Sequence, residues 1–326
     1  MALGVRPVVP SRLTARLFSH GSPTEAGSQS QIGQSPNQQT PNRFSSYVAL
    51  TKPRIIELLL VTTIPTMVLA EKGWPAFSLM VVTLIGGTLA AGGANAINMY
   101  IDRDIDRLMT RTQGRPLVTG VITPKAALTF AIALEICAFA VLAIGANVLA
   151  ACLALSATLF YVFVYSLWLK RTSKHNIVIG GAAGAVPVLV GWAAVTNSLS
   201  WTPLVLFLVI FFWTPPHFWA LAIRHTDEYR AAGVPMLPVV ASLHQTIRSM
   251  FMYCIILVIT TIALIPIAGM GWIYGVTAVV FGAAFTLGAL RLGRDPSEQR
   301  AMRLFSFSIT YVSVLFLALT VDVLLR

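Results

Sequence analysis

Apolar and polar positions in this chain come in long blocks rather than alternating. After residue 46 the apolar blocks fall at roughly 55–70, 76–100, 126–144, 146–169, 177–195, 203–223, 248–268, 271–291 and 304–325. A membrane-spanning helix needs about 20 mainly apolar residues, and these blocks are of that size. None has the period-two pattern of a membrane barrel strand, and in lipid a helix satisfies its own backbone polar groups. The first block is short and contains Glu57 and Pro65. We therefore expect an all-α polytopic membrane protein, with nine transmembrane helices in a single domain at 47–326.

Residues 1–46 read differently. The run GSPTEAGSQSQIGQSPNQQTPN has hardly an apolar residue and cannot bury a core, so the expectation is a disordered polar tail. Arg6, Arg12 and Arg16 precede it with no acid before Glu25. That suits either an unstructured bacterial tail or a cleaved mitochondrial transit segment.

Composition sharpens the membrane reading. Charged residues are only 11% of the chain and apolar ones 56%, too few charges to coat a soluble domain. The net charge of +11 need not signal nucleic acid, because basic residues collect in the cytoplasmic loops of membrane proteins. With the N-terminus inside, 21 of the 23 Lys and Arg residues fall on the cytoplasmic side, and Lys72 and Arg326 are the exceptions. Shifting one span would scatter this pattern. Cys137, Cys152 and Cys254 sit in apolar runs with no CxxC pair, which argues against a disulfide framework or zinc site.

Candidate chemistry begins with NMYIDRDIDRLMTRTQGRPLVTG, residues 98–120. Asn98, Asp102 and Asp106 are spaced i, i+4, i+8, which on a helix stacks them on one face about 6 Å apart. Three oxygen-bearing side chains leaving a span suit a hard cation such as Mg²⁺, which favours a few carboxylates together with substrate phosphates. Asp104 points elsewhere on that geometry. Arg103, Arg107, Arg111 and Arg115 follow, and guanidiniums fork phosphate oxygens. The plainer alternative is a charged loop whose acids and arginines pair with one another.

A second cluster lies in TPPHFWALAIRHTDEYRAAGVPMLP, residues 214–238. His217 is inside an apolar span. Arg224, Asp227, Glu228, Tyr229 and Arg230 gather at its end. R-x-x-G-x-P occurs in both clusters, at Arg111–Pro116 and Arg230–Pro235, by chance or as the trace of a duplicated helical unit.

YVALTKPRIIELLLVTTIP, NMYIDRDIDRLMTRTQGRPL, FYVFVYSLWLKRTSKHNIVIGGAAGAVPVLVGW and FFWTPPHFWALAIRHTDEYRAAGVPMLPVV, in this order, resemble the intramembrane prenyltransferases of the UbiA superfamily, in its haem-directed branch, over roughly 47–325. The resemblance implies nine helices around a central cavity open to lipid. It implies farnesyl transfer from farnesyl diphosphate to the 2-vinyl group of haem b, giving haem O, with Mg²⁺ as cofactor and haem as substrate. The first aspartate motif maps onto Asn98, Asp102 and Asp106. The second, ordinarily two aspartates four apart, reads here as Arg224 and Glu228 with Asp227 adjacent, a departure typical of the haem-directed branch. It leaves open whether Glu228 binds metal or Arg224 meets diphosphate.

The expected catalytic residues are thus Asn98, Asp102, Asp106, Asp227 and Glu228, with Asn98, Asp102, Asp106 and Glu228 as metal ligands. Lys170, Arg171, Lys174 and Asn176 are expected to hold diphosphate or haem propionates, or else to mark topology. His217 would ligate or orient haem, or bond a neighbouring helix. Glu57 is the better cavity candidate and Glu135 a bundle contact. The glycine groups at 86–87, 92–93 and 180–184 are expected to be packing surfaces. The bilayer is a partner, nucleic acid is not, and a downstream haem A synthase or terminal oxidase could dock. The location expected is the bacterial plasma membrane, with the site cytoplasmic and the C-terminus outside; a mitochondrial inner membrane is the alternative. A quinone-pathway prenyltransferase and a secondary transporter are the rival functions.

Overall fold

Long apolar stretches with few helix breakers become helices, and among the described residues the chain is all-helical. The structure, a computed structural model, describes residues 42–326 apart from the side chains of 54–60. The expected tail up to residue 41, and the side chains of Arg54 and Glu57, lie outside the described residues. Among the described residues are nine long helices: α1 (Pro53–Glu71), α2 (Phe77–Ile101), α3 (Pro124–Gly145), α4 (Val148–Thr172), α5 (Asn176–Thr196), α6 (Trp201–Arg224), α7 (Leu243–Ala268), α8 (Trp272–Arg294) and α9 (Glu298–Leu324). Among the described residues, the eight from α2 to α9 are long and apolar enough to cross a membrane. In α1 the stretch Val61–Glu71 is apolar. This is an integral, multi-pass membrane protein.

Several helices start earlier than the apolar blocks predict. The helix containing block 248–268 begins at Leu243, and that of 304–325 at Glu298. Ser242 caps the former by accepting from the Gln245 backbone, and Ser297 caps the latter by accepting from Arg300. Capped polar turns carry these helices beyond the apolar region, and hydropathy alone is blind to them. A short helix, Arg43–Thr51, also opens inside the expected tail, where the Asn42 side chain accepts from the Phe44 N–H.

Neighbours in sequence pack side by side, and α9 returns to α1 to close the ring. The two halves are filled differently. Around α3, α4 and α5 the buried positions are mostly small, with Ala138, Ala150, Ala151, Ala154 and Ala193 letting backbones approach. Around α6 to α9 the core is aromatic and bulky, with Trp213, Tyr274, Phe285, Tyr311 and Phe316 fully enclosed. Of the glycine groups, a Cβ at Gly86 would press on Leu142, at Gly93 on Glu135, and at Gly180 on the Tyr165 ring. Gly87 and Gly184 face open space. A Cβ at Gly92 would lie 3.2 Å from Thr51, so packing accounts for both glycines at 92–93 but for only part of the other two groups. Glu135 accepts from Thr158 at 3.2 Å, joining α3 to α4 as expected of a bundle contact.

Alternation of the helices sends the connections 102–123, 173–175, 225–242 and 295–297 to one end of the ring. The polar chemistry described next is at that charged end.

Candidate active site

At the end of α2 the helix is nearly continuous with the short helix Arg103–Leu108. Asp102 N–H donates to the Asn98 carbonyl at 2.9 Å, and Asp106 N–H to the Asp102 carbonyl at 2.8 Å. Helical phase is therefore kept through the motif. Asn98, Asp102 and Asp106 are buried on one face, while Asp104 is 62% exposed and paired with Arg171 at 2.7 Å. The Arg171 guanidinium holds the Asp104 carboxyl well below the usual carboxylate range.

Buried charges need partners, and these have them. Lys170, from the end of α4, pairs with Asp102. Arg115 pairs with Asp106 at 2.5 Å. The Asn98 amide donates to Asp102 at 2.8 Å and to Ser166 of α4 at 3.0 Å, and its oxygen accepts from Lys52 at 2.9 Å. Two buried acids thus face Lys52, Lys170, Arg115 and an amide, with Arg171 4.0 Å from Asp102.

Lys52 was counted in the sequence only as a topology charge. It occupies the corner between helix Arg43–Thr51 and Pro53, with φ +53°. A residue before proline is barred from continuing the helix, and this left-handed turn points the lysine inward. The Thr51 carbonyl accepts from Asn95, pinning the corner to α2. Burial, reinforced by Arg115 and Lys170, pulls the Lys52 ammonium down to about 7, with Asp102 and Asp106 acting in the opposite sense.

The wall opposite comes from a ten-residue π-helical stretch of α4, Phe160–Leu169. Such stretches are rare and concentrate at functional sites. Here it presents Ser166 to Asn98 and stacks Tyr161 on Tyr165 with ring centroids 5.3 Å apart. Tyr165 and Tyr229 pack on one apolar cluster, Ile105, Met109, Ile177, Ala222, Val234 and Met236, which joins the connection after α2 to the one after α6. Burial shifts the Tyr229 hydroxyl upward, with the nearby Arg111 guanidinium acting in the opposite sense.

The other expected site residues divide. Asn176 begins α5, fully buried, with neither amide atom hydrogen-bonded. Glu228 has one oxygen 3.4 Å from His225 Nδ1 and its second oxygen buried without a hydrogen bond. Arg224 instead turns to Glu298 at 3.1 Å, both half-exposed or more, and Asp227 is 94% exposed against Arg230. Arg224 is the last residue of α6, and after the turn at His225 the short helix Thr226–Ala231 has Asp227 exposed and Glu228 on its more buried side. Arg103 lies over the Tyr100 ring at 4.6 Å and donates to its carbonyl, and Arg107 is exposed. Lys174 lies in the connection before α5, outside these pairings. His217 is two turns deeper, buried between the Trp213 and Phe305 rings at 4.2 and 4.5 Å, with Nδ1 2.6 Å from Ser308 of α9.

Does this donor set fit Mg²⁺? Asp102 has one fully buried oxygen without a hydrogen bond, as do Glu228 and Asn176. Unsatisfied buried oxygen is costly unless something of positive charge meets it. Among the described residues no three His, Cys, Asp or Glu side chains converge as a metal cage. Mg²⁺ does not require one, since it is commonly held by one or two carboxylates plus substrate phosphates. The residues fit.

A bundle with a buried acid–amide stack at one end, ringed by lysine, arginine and tyrosine, is the architecture of an intramembrane enzyme acting on a phosphorylated lipid-like substrate. The chain belongs to the UbiA prenyltransferase family, whose model matches residues 59–318. It is 53% identical over 287 residues to a protoheme IX farnesyltransferase of Parafrankia sp., covering 87% of this chain and 92% of that one. It is 50% identical over 290 residues to a protoheme IX farnesyltransferase of Streptomyces avermitilis, covering 87% and 95%. Among solved structures, a digeranylgeranylglyceryl phosphate synthase has a TM-score of 0.73 at 18% identity, covering 87% of this chain and 99% of that one. A UbiA homolog from Aeropyrum pernix has 0.67 at 20%, covering 83% and 98%. One from Archaeoglobus fulgidus, bound to GPP and Mg²⁺, has 0.57 at 18%, covering 84% and 99%. At these identities the solved structures speak for the fold.

Proposed function

We propose that this enzyme transfers the farnesyl group of farnesyl diphosphate to the 2-vinyl group of haem b, giving haem O. The observation that carries the reading is the buried Asn98–Asp102–Asp106 stack with Lys52, Arg115 and Lys170 against it, in a chain half-identical to relatives named for this reaction. The allylic C1–O bond of farnesyl diphosphate breaks, and C1 bonds to the terminal vinyl carbon. Water adds to the inner vinyl carbon and loses a proton, leaving a hydroxyethylfarnesyl side chain, diphosphate and a proton.

Asn98, Asp102, Asp106 and Glu228 would hold Mg²⁺. Bound there, the ion supplies Lewis-acid stabilisation of the leaving diphosphate. Lys170 and Arg115, freed from Asp102 and Asp106, would meet the diphosphate oxygens, and Lys52 would add a third donor. Arg111 and Asn176 complete that lining. Tyr161 and Tyr165 give the first isoprene units an aromatic wall. The aromatic interior of α6–α9 limits water until the C–C bond has formed.

In this reading His217 faces the haem iron. The Ser308 hydroxyl donates to the Phe305 carbonyl at 2.6 Å, so it must accept the proton of His217 Nδ1, and Nε2 carries a lone pair. The bundle would sit in a bacterial plasma membrane with its charged end cytoplasmic and its C-terminus outside, an orientation the basic loops support. A haem A synthase or terminal oxidase would then receive the product.

The test is purified protein in nanodiscs with Mg²⁺, haem b and labelled farnesyl diphosphate, read by mass spectrometry of the porphyrin. Label in haem O is the expected result. Label found only on an added hydroxybenzoate or naphthoate acceptor, with none in haem, would move the assignment to quinone prenylation.

A further inference from the structure

Away from the diphosphate pocket, the charged end carries a second concave feature. Between α8 and α9 a cleft of about 540 Å³ has an apolar floor that includes Leu287 and Phe307, and a rim of Arg291, Arg300 and Arg303. The size falls within the roughly 300–1,000 Å³ typical of small-molecule sites. Three arginines line it and no acid does.

The arginines are unequal. Arg300 pairs with Asp295 at 2.7 Å and donates to the Arg291 carbonyl at 3.1 Å, so it is fixed. Arg291 and Arg303 have no acidic partner among the described residues. Arg291 lies in the last turn of α8, and Arg303 is five residues into α9. In a span, these positions are at headgroup depth. The floor continues along faces that meet acyl chains: Leu287 is 50% exposed one turn deeper than Arg291.

We propose that this cleft binds an anionic phospholipid, its phosphate forked by Arg291 and Arg303 and an acyl chain lying on Leu287 and Phe307. Basic pockets between transmembrane helices at this depth select anionic headgroups, and paired guanidiniums match phosphate oxygens in a way one lysine does not. An acidic peptide would meet the arginines but leave the apolar floor unused. A soluble phosphate would likewise leave the floor bare. The charge of the rim and the greasiness of the floor together specify a lipid. Because α9 also packs on α1 and α6, a bound lipid would brace one side of the ring.

Native mass spectrometry of the full-length protein, extracted from bilayers containing phosphatidylglycerol and phosphatidylcholine, provides the test. One phosphatidylglycerol should be retained through detergent exchange in preference to phosphatidylcholine. At about 1 kcal/mol per arginine, the R291Q/R303Q variant should bind phosphatidylglycerol about thirtyfold more weakly. R294Q, which removes a neighbouring exposed arginine outside the cleft, should bind as wild type does. Excess inorganic phosphate should not displace the lipid. Equal retention in both variants, no headgroup preference, or displacement by phosphate would each overturn the proposal. Thermal unfolding in neutral detergent, where R291Q/R303Q should match wild type, separates lost binding from lost folding.

Discussion

The hydroxyl of Ser308 determines which nitrogen of His217 carries the proton. It accepts at 2.6 Å from Nδ1 while donating to the Phe305 carbonyl, and Trp213 and Phe305 hold the imidazole between them. The result is a histidine of fixed tautomer and fixed plane well inside a membrane bundle. If Nε2 meets haem iron, titrating the purified protein with haem should give a histidine-ligated absorption spectrum. His217→Ala should lose it, and Ser308→Ala should bind haem several-fold more weakly. Spectra identical across the three proteins would reduce His217 to a bond between α6 and α9.

The three acids of 102–106 should behave unequally. Asp102→Ala and Asp106→Ala each remove a buried member of the stack and should lower kcat by at least about a hundredfold, as loss of a transition-state contact does. Asp104→Ala breaks an exposed pair with Arg171 and should cost about threefold or less. Steady-state kinetics on all three decides it. Equal losses would mean that the helical phase is not what organises the site.

Lys52 supplies the next expectation. Replacing it by Gln removes one of the three cations facing the stack and leaves Asn98 without its donor. Farnesyl diphosphate KM should rise about tenfold or more, with haem KM unchanged. An equal rise in both constants would indicate a folding defect at the Pro53 corner instead.

Metal removal should act on the diphosphate side of the reaction alone. After chelation, turnover should fall to background and farnesyl diphosphate affinity should weaken, while haem still binds. Added Mg²⁺ should restore both, measured by turnover and by equilibrium binding. Full activity in chelator would remove the cation from the mechanism.

Two glycines four residues apart in α5 offer a stability contrast. A methyl at Gly180 would strike the Tyr165 ring, whereas Gly184 has nothing within 4 Å. Gly180→Ala should destabilise by about 1–3 kcal/mol in thermal or denaturant unfolding and disturb the Tyr161–Tyr165 stack. Gly184→Ala should be neutral or slightly stabilising. The reverse order would contradict the packing described.

The legibility of the sequence followed the regularity of the backbone. Asn98, Asp102 and Asp106 could be placed together, and Asp104 apart, because the helix keeps its phase from α2 into Arg103–Leu108. Lys52 could not be found this way: its direction comes from a left-handed residue at a proline corner, and in a string of letters it looks like any loop lysine. Tyr161, Tyr165 and Ser166 are on π-helical backbone, where the 3.6-residue period used to sort faces no longer applies. Arg224 and Asp227 read like Glu228, yet Arg224, at the end of α6, pairs with Glu298, and Asp227, on the exposed side of the next short helix, pairs with Arg230. Charge near a site is visible in sequence, but which charge faces inward depends on single bends.

The pairing of Lys170 with Asp102 and of Arg115 with Asp106 bears on how the pocket is filled. At rest both buried carboxylates already have a cationic partner. A dication arriving alone would take the carboxylates and strand two buried cations, and diphosphate arriving alone would take the cations and strand two buried carboxylates. Each half-filled state has uncompensated charge in a low dielectric, which costs several kcal/mol. The two together exchange every partner at once and leave nothing unpaired. If the proposed cation and diphosphate bind here, the resting ion pairs would make their loading cooperative, each ion entering more readily with the other than by itself.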